Sequence, residues 1–167
     1  MQNLEDMCKE YTQIIYKYLF CITRDREIAE DLTQETLYKA IKHIKDFRGD
    51  CKINLWLYKI ARNEWFMYLN KNKKIRHVAI DEASMIADKI NIEDEVIGSE
   101  IRDTIYQKIK ELDEETSQIM LLYLEQDMNF KEIGDIFNRN ETWARVKFFR
   151  GKQKVKERLK DEKSETV

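Results

Sequence analysis

The stretch Glu30-Asp31-Leu32-Thr33-Gln34-Glu35-Thr36 lies in a segment whose pattern predicts an α-helix from about Arg26 to Lys45. Apolar and small residues recur there at steps of three and four, which is the spacing of one helical face. These positions are Ile28, Ala29, Leu32, Thr36, Leu37, Ala40, Ile41 and Ile44. The acids Glu30, Asp31 and Glu35 are best explained as a solvated, partner-binding face, and a metal site on the same helix is the weaker alternative.

The segments on either side of this helix predict a compact helical domain over residues 1–75. An apolar helical face runs through residues 3–22, ahead of the polar turn at 23–25. After the helix, residues 47–53 lose the rhythm and contain Gly49, which indicates a loop. Asn54 is expected to cap a third helix from Leu55 to about Asn72 by accepting a hydrogen bond from a free backbone amide. The chain has no proline and only four glycines, so an all-α fold is expected.

The second half predicts an acidic linker at 76–99 and a further helical domain at 100–163. Acids at 113–115 favour a helix start there, because they complement the helix macrodipole. Phe130 to Phe137 predicts a short helix in which Gly134 permits close approach of the next one. Asn138 can end that helix in a left-handed conformation, and Asn140 can cap a long basic helix from 141 to 159. This pattern is typical of a helix-turn-helix. An inert helical hairpin is the alternative, and the basic second helix favours DNA binding.

Charge is unevenly distributed although the net charge is only −2. Residues 59–76 carry six Lys or Arg against one acid, residues 81–103 carry eight acids against two bases, and residues 139–160 carry nine bases against two acids. This suggests two anion-binding surfaces joined by an acidic connector, with a uniformly solvated surface as the alternative. No apolar stretch approaches the length of a membrane span, and no secretory pattern begins the chain, so a cytoplasmic protein is expected.

No pattern of residues indicates an enzyme, a metal site or a cofactor. The three cysteines are widely spaced with no Cys-x-x-Cys pair, and the two histidines suit ordinary surface positions. A nucleophile–base arrangement and a glycine-rich phosphate loop are both lacking from the sequence. Catalytic, cofactor-binding and metal-ligating residues are therefore expected to be none.

Three blocks in order resemble the promoter-melting domain of extracytoplasmic-function sigma factors. They are the helix segment 30–36, Phe47-Arg48-Gly49-Asp50, and Trp56-Leu57-Tyr58-Lys59-Ile60-Ala61-Arg62-Asn63. The segment 130–159 resembles the C-terminal domain of the same family, which recognises the minus-thirty-five promoter element. The resemblance implies two small helical domains, sigma region 2 and sigma region 4, joined by the acidic linker. It implies an alternative sigma factor that binds core RNA polymerase, recognises promoter DNA and helps to open it.

The resemblance also implies roles for particular residues. Asp31, Gln34 and Glu35 would bind the clamp helices of the polymerase β′ subunit, while region 4 would meet the β subunit. The minus-ten element and its opened non-template strand would be bound by Gly49, Asp50, Cys51, Lys52, Ile53, Asn54, Lys59, Arg62 and Asn63. Double-stranded minus-thirty-five DNA would be bound by Arg145, Val146, Lys147, Phe149, Arg150 and Lys152.

Two further expectations follow from the family. An anti-sigma factor is an expected partner, and it would keep the protein at the membrane where it is itself membrane-bound. Val146 stands where a Ser or Thr often faces the bases, so no promoter sequence can be transferred from relatives. The alternative function is a stand-alone helix-turn-helix regulator, which differs in binding specific DNA without polymerase.

Overall fold

The structure is a computed structural model that describes residues 4–72 and 98–165, and within these ranges the regular elements are all helices, joined by short turns and loops. The helices of the first range are α1 Leu4–Thr23, α2 Arg26–His43 and α3 Ile53–Lys71, with a 3-10 turn at Ile44–Asp46. Those of the second are α4 Gly98–Lys110, α5 Glu114–Glu125, α6 Phe130–Ile136 and α7 Glu141–Glu165. The all-α prediction is confirmed. The predicted linker at 76–99 lies outside the described residues except for its last two, which begin α4.

Helices α1, α2 and α3 pack against one another and form the N-terminal half. Ile15, Tyr18 and Leu19 of α1 are completely buried, and they meet Ala29 of α2 and Ala61 of α3 in one core. The buried residues are those that recur at steps of three and four in the sequence, which places them on the core-facing side of each helix.

An ion pair joins α2 to α3 beside this core. Lys39 Nζ lies 2.5 Å from Glu64 Oε1, and the Glu64 carboxylate is buried. The pairing compensates for the removal of that charge from water.

Two details of this half differ from the sequence prediction. Helix α3 begins at Ile53 and not at Leu55, because the Lys52 carbonyl already accepts hydrogen bonds from the amides of Leu55 and Trp56 at 3.0 and 3.3 Å. Asn54 therefore lies inside the first turn, and its predicted capping role is wrong. On α2, Ile41 was expected on the core face but is 68% exposed.

Helix ends in the C-terminal half are fixed by side-chain caps. Asp113 caps α5 by accepting hydrogen bonds from the Thr116 amide and hydroxyl at 3.1 and 2.9 Å. Although partial burial opposes the shift, these hydrogen bonds hold the pKa of Asp113 below its ordinary value. Asn129 and Glu132 form a reciprocal capping box at the start of α6. Each cap satisfies backbone groups that a helix end otherwise leaves without a partner.

The turn between α6 and α7 matches its prediction. Asn138 adopts a φ of 55°, in the left-handed region, and ends α6. Asn140 caps α7 by accepting a hydrogen bond from the Trp143 amide at 2.8 Å. A Cβ atom at Gly134 would lie 2.7 Å from the Asn140 carbonyl oxygen, so only glycine fits where the turn crosses α6.

The two halves meet in an interdomain contact, where Arg24, Arg62 and Trp65 make four of the described side-chain interactions. Arg24, in the turn between α1 and α2, forms an ion pair with Glu125 at the end of α5, and each side chain is only 10% exposed. The Arg24 guanidinium also lies 5.1 Å from the centre of the Tyr106 ring. The other two contacts join α3 to the C-terminal half. Trp65 Nε1 donates to Glu114 Oε1 at 2.8 Å, and the Arg62 guanidinium lies 4.0 Å from the centre of the Phe137 ring.

Replacing Glu125 should separate the two halves. Glu125→Leu leaves the Arg24 guanidinium buried without its counter-charge, a loss that typically costs about 3–5 kcal/mol for a buried pair. Separation lets water reach Arg24, so small-angle X-ray scattering should show an increased radius of gyration. Glu111→Leu is the matched control, since the Glu111 carboxylate is half exposed and pairs only within the C-terminal half. Equal radii for wild type and Glu125→Leu would contradict the importance of this pair.

Replacing Gly134 should destabilise the helix-turn-helix. Gly134→Ala would improve intrinsic helix propensity, but its methyl group would overlap the carbonyl oxygens of Arg139 and Asn140. We expect the free energy of unfolding, measured by urea denaturation, to fall by about 1–3 kcal/mol. Lys131→Ala on the exposed side of α6 serves as the control and should change it little. An unchanged or increased stability of Gly134→Ala would show that the turn can move aside.

Candidate nucleic-acid and protein interfaces

The solvent side of α2 carries the residues predicted to bind polymerase. Asp31, Gln34 and Glu35 are all exposed, and they lie opposite the buried residues of the same helix. The stripe continues for two more turns with large apolar side chains, because Tyr38 is 63% and Ile41 68% exposed. We call these five residues the α2 outer face.

The apolar end of the α2 outer face was missed by sequence reasoning. Ile41 had been assigned to the core, and Tyr38 had not been singled out. The steps of three and four from Asp31 through Gln34 to Tyr38 and Ile41 are the signal that identifies them as one stripe. Adjacent exposed apolar side chains beside charged ones are characteristic of a protein-binding surface.

The predicted base-capturing loop connects the 3-10 turn to α3. Gly49, Asp50 and Lys52 are exposed, whereas Cys51, Ile53 and Asn54 are half-buried at the start of the helix. Gly49 has a φ of 76°, and a Cβ atom there would meet nothing within 4 Å, so its backbone conformation is the reason for glycine. These six residues thus form one continuous surface segment, of which Ile53 and Asn54 begin α3.

Three predicted minus-ten residues on α3 have different surroundings. Lys59 is half-buried and Asn63 is exposed. Asn63 lines an open groove of about 430 Å³ between α2 and α3, together with Trp56 and Glu64. Arg62, in contrast, is covered by the Phe137 ring of the C-terminal half, and its Nε atom has no hydrogen-bond partner among the described residues. The interdomain contact therefore occupies one predicted DNA-binding side chain.

Helix α7 has one buried stripe and one exposed stripe. Ala144, Phe148, Gly151 and Val155 are buried against the rest of the C-terminal half. Five of the six predicted minus-thirty-five residues are exposed, and these are Arg145, Val146, Phe149, Arg150 and Lys152. The sixth, Lys147, is half-buried and lies 2.9 Å from the Glu115 carboxylate, so its charge is partly used within the protein.

An aromatic cluster supports the exposed side of α7. The Phe130 and Tyr123 rings stack with centroids 4.8 Å apart, and both contact Phe148 at 5.4 and 4.5 Å. Phe149 meets Phe148 edge-on at 5.5 Å. The Arg145 guanidinium lies 5.7 Å from the Phe130 ring centre, and its Nη2 atom is 2.6 Å from Glu141 Oε1. The predicted DNA-binding side chains of α7 are thus anchored on a packed base.

The described residues contain neither a metal-binding cluster nor a helix that could span a membrane. Among residues 4–72 and 98–165, no group of His, Cys, Asp or Glu side chains is placed to hold a metal ion. No helix in these ranges is both long and apolar enough to cross a membrane.

Comparisons with known proteins found likenesses to both halves of the chain. The family described as sigma-70 region 2 matches residues 7–75, which include α2 and α3. Two sigma factors of Bacillus subtilis extend the likeness to the second half. The extracytoplasmic-function factor SigM is 28% identical over 92% of this chain and 93% of its own length, and SigW is 27% identical over 93% and 88%.

A solved structure shows the same fold. It is the sigma factor RpoE in complex with the anti-sigma factor NepR from Bartonella quintana, with a TM-score of 0.67 over 96% of this chain and 98% of that one. At 18% identity, this likeness supports the fold alone. The sequence matches and the ordered motifs together assign residues 7–75 to the sigma-70 region 2 family, and over its length the chain is similar to extracytoplasmic-function sigma factors.

Proposed function

We propose that this protein is an alternative sigma factor, which binds core RNA polymerase, directs it to promoters and helps to open them. The α2 outer face is the observation that carries this proposal, because it joins Asp31, Gln34 and Glu35 to the exposed apolar residues Tyr38 and Ile41. Such a face suits the clamp helices of β′, since apolar burial supplies affinity and the polar residues supply orientation. A specificity subunit of this kind performs no chemistry itself.

We assign the promoter elements to the two halves. Residues 1–75 form the region 2 domain, 76–99 the linker, and 100–163 the region 4 domain. The loop from Gly49 to Asn54 would hold a base extruded from the minus-ten element, which favours the opened strand. Lys59, Asn63 and Arg62 would contact the same strand, through phosphates or bases.

Use of Arg62 on DNA would compete with the contact between the halves. The residue is half-buried, the Phe137 ring lies 4.0 Å from its guanidinium, and its Nε atom is buried, so full access to a DNA strand would need the halves to separate. Separation exchanges this contact, the Trp65–Glu114 hydrogen bond and the Arg24–Glu125 pair for contacts with polymerase and DNA. The described arrangement is therefore the form we assign to the protein before it binds promoter DNA.

Region 4 would read the minus-thirty-five element with α7. The exposed Arg145, Arg150 and Lys152 give this helix a basic side, and Asn140 and the Gly134 turn fix its angle to α6. A helix held in this way fits the major groove of double-stranded DNA. We expect region 4 to contact the polymerase β subunit as well, and an anti-sigma factor to compete for these surfaces. The protein would act in the cytoplasm, held at the membrane wherever that partner is membrane-bound.

Substitutions on the α2 outer face should prevent polymerase binding. Asp31→Ala with Gln34→Ala, and separately Tyr38→Ala with Ile41→Ala, should each abolish capture of bacterial core polymerase by the tagged full chain. Both pairs are exposed, so circular dichroism should show an unchanged fold. Glu10→Ala, which removes an exposed acid from α1, is the control. No capture by folded wild-type protein would refute the proposed function.

Substitutions on α7 should weaken promoter binding by the holoenzyme. Where Arg145→Ala or Arg150→Ala removes a base contact, the binding free energy should weaken by roughly 1–3 kcal/mol. Where it removes a phosphate contact, the slope of log affinity against log salt concentration should become shallower by about one. The measurement is the dissociation constant over a series of salt concentrations. Lys156→Ala, farther along the same helix and also exposed, is the control. Unchanged affinity and salt dependence in both arginine variants would remove these residues from the site.

A further inference from the structure

Two apolar side chains occupy the part of α7 that is farthest from the core. Val146 is 40% and Phe149 52% exposed, although valine and phenylalanine normally gain by burial. They share a stripe with Thr142 and Gln153, and the steps of four, three and four repeat those of the buried stripe on the opposite side. The apolar pair therefore points away from the protein at the centre of the exposed face.

The Phe149 ring is held in place without being buried. It meets Phe148 edge-on at 5.5 Å and Phe130 at 6.2 Å, and the Lys152 ammonium lies 5.8 Å from its centre. A ring fixed by its neighbours loses little conformational freedom when a ligand covers its free side.

Positive charge borders the apolar pair on both sides. Around the helix axis, Arg145 and Lys152 lie on one side of the Val146–Phe149 stripe and Arg150 lies on the other, and all three are exposed. In the major groove, phosphates border the two edges and the base edges form the floor. Flanking cations with an apolar centre match this arrangement.

We propose that Val146 and Phe149 read the C5-methyl groups of thymines in the upstream promoter element. Thymine is the only base of unmodified DNA that presents a methyl group in the major groove, and apolar side chains recognise it by direct contact. Residues three apart on a helix are about 4.5 Å apart along its axis, and successive base pairs are about 3.4 Å apart. The two spacings are similar, so the pair can contact neighbouring base pairs when α7 lies along the groove. This inference rests on the proposed function, because it requires α7 to enter the groove.

The test uses holoenzyme assembled from the full chain and core polymerase. Because the promoter is not specified by the structure, the probe is a duplex that this holoenzyme selects from a pool of random sequence. Each thymine of its upstream element is then replaced singly by deoxyuridine, which removes only the methyl group. At one or two positions we expect affinity to fall about fourfold, equivalent to about 0.8 kcal/mol for one buried methyl group.

Variants assign the effect to the two side chains. In Phe149→Ala, and likewise in Val146→Ala, replacing thymine by deoxyuridine at one of these positions should no longer change the affinity. This loss of the methyl effect is the coupling that a double-mutant cycle measures. Leu124→Ala is the matched control, because Leu124 is 43% exposed but belongs to α5. It should retain the fourfold difference.

Each contrary outcome has a separate meaning. Equal binding of thymine and deoxyuridine duplexes by wild type, while selection succeeds, overturns the proposal and leaves the sigma function intact. A methyl effect that survives in both alanine variants also overturns it. Loss of polymerase capture by Phe149→Ala would instead show that the pair docks on polymerase. Failure of the wild-type holoenzyme to select any duplex overturns both this inference and the proposed function.

Discussion

The ion pair between Arg24 and Glu125 is a buried charged link between the two halves of the molecule, which also pack through α1 against α5 and α3 against α6. Both side chains are 10% exposed, so each charge depends on the other for the stabilisation that water would otherwise give. The surroundings reinforce this dependence, since burial, followed by the nearby Glu125 carboxylate, raises the pKa of the Cys21 thiol well above its ordinary value. The thiol remains protonated and adds no further negative charge to the contact. The contacts of Arg62 with Phe137 and of Trp65 with Glu114 lie within the arrangement that this pair maintains.

The interdomain contact affects the proposed binding surfaces unequally. The α2 outer face and the exposed side of α7 are both open to solvent, whereas Arg62 on α3 is covered. Polymerase could therefore engage the α2 outer face first, and the exchange of interdomain contacts for DNA contacts could follow. The order of binding would then be determined by which surfaces are accessible, without any additional regulatory segment.

Features with a local cause could be predicted from the sequence. Asn138 and Asn140 act through their own backbone neighbourhood, and the exposed side of α7 follows from helical spacing, whereas Ile41 of α2 was wrongly placed on the core face. Asn54 was mispredicted because a carbonyl at Lys52 starts α3 without any side-chain cap. The Arg24–Glu125 pair joins residues 101 positions apart, and neither residue type nor local pattern indicates such a partner. The contact of Arg62 with Phe137 also joins residues far apart in the sequence. The sequence could therefore indicate Arg62 as a DNA-binding candidate but could not indicate this contact.

The buried and the exposed stripe of α7 differ in how well they tolerate substitution. Gly151 lies so close to α5 that a Cβ atom would stand 2.7 Å from both the Met120 sulfur and the Thr116 methyl group, so a larger residue would force these side chains or the helix to shift. On the opposite stripe, Val146 and Phe149 contribute little to the core, and surface substitutions there usually change stability by less than about 0.5 kcal/mol. If the outward residues read the promoter as proposed, a lineage would acquire a new set of target promoters by exchanging them while the scaffold that positions them stays the same. Divergence of regulons among such proteins needs no change of fold.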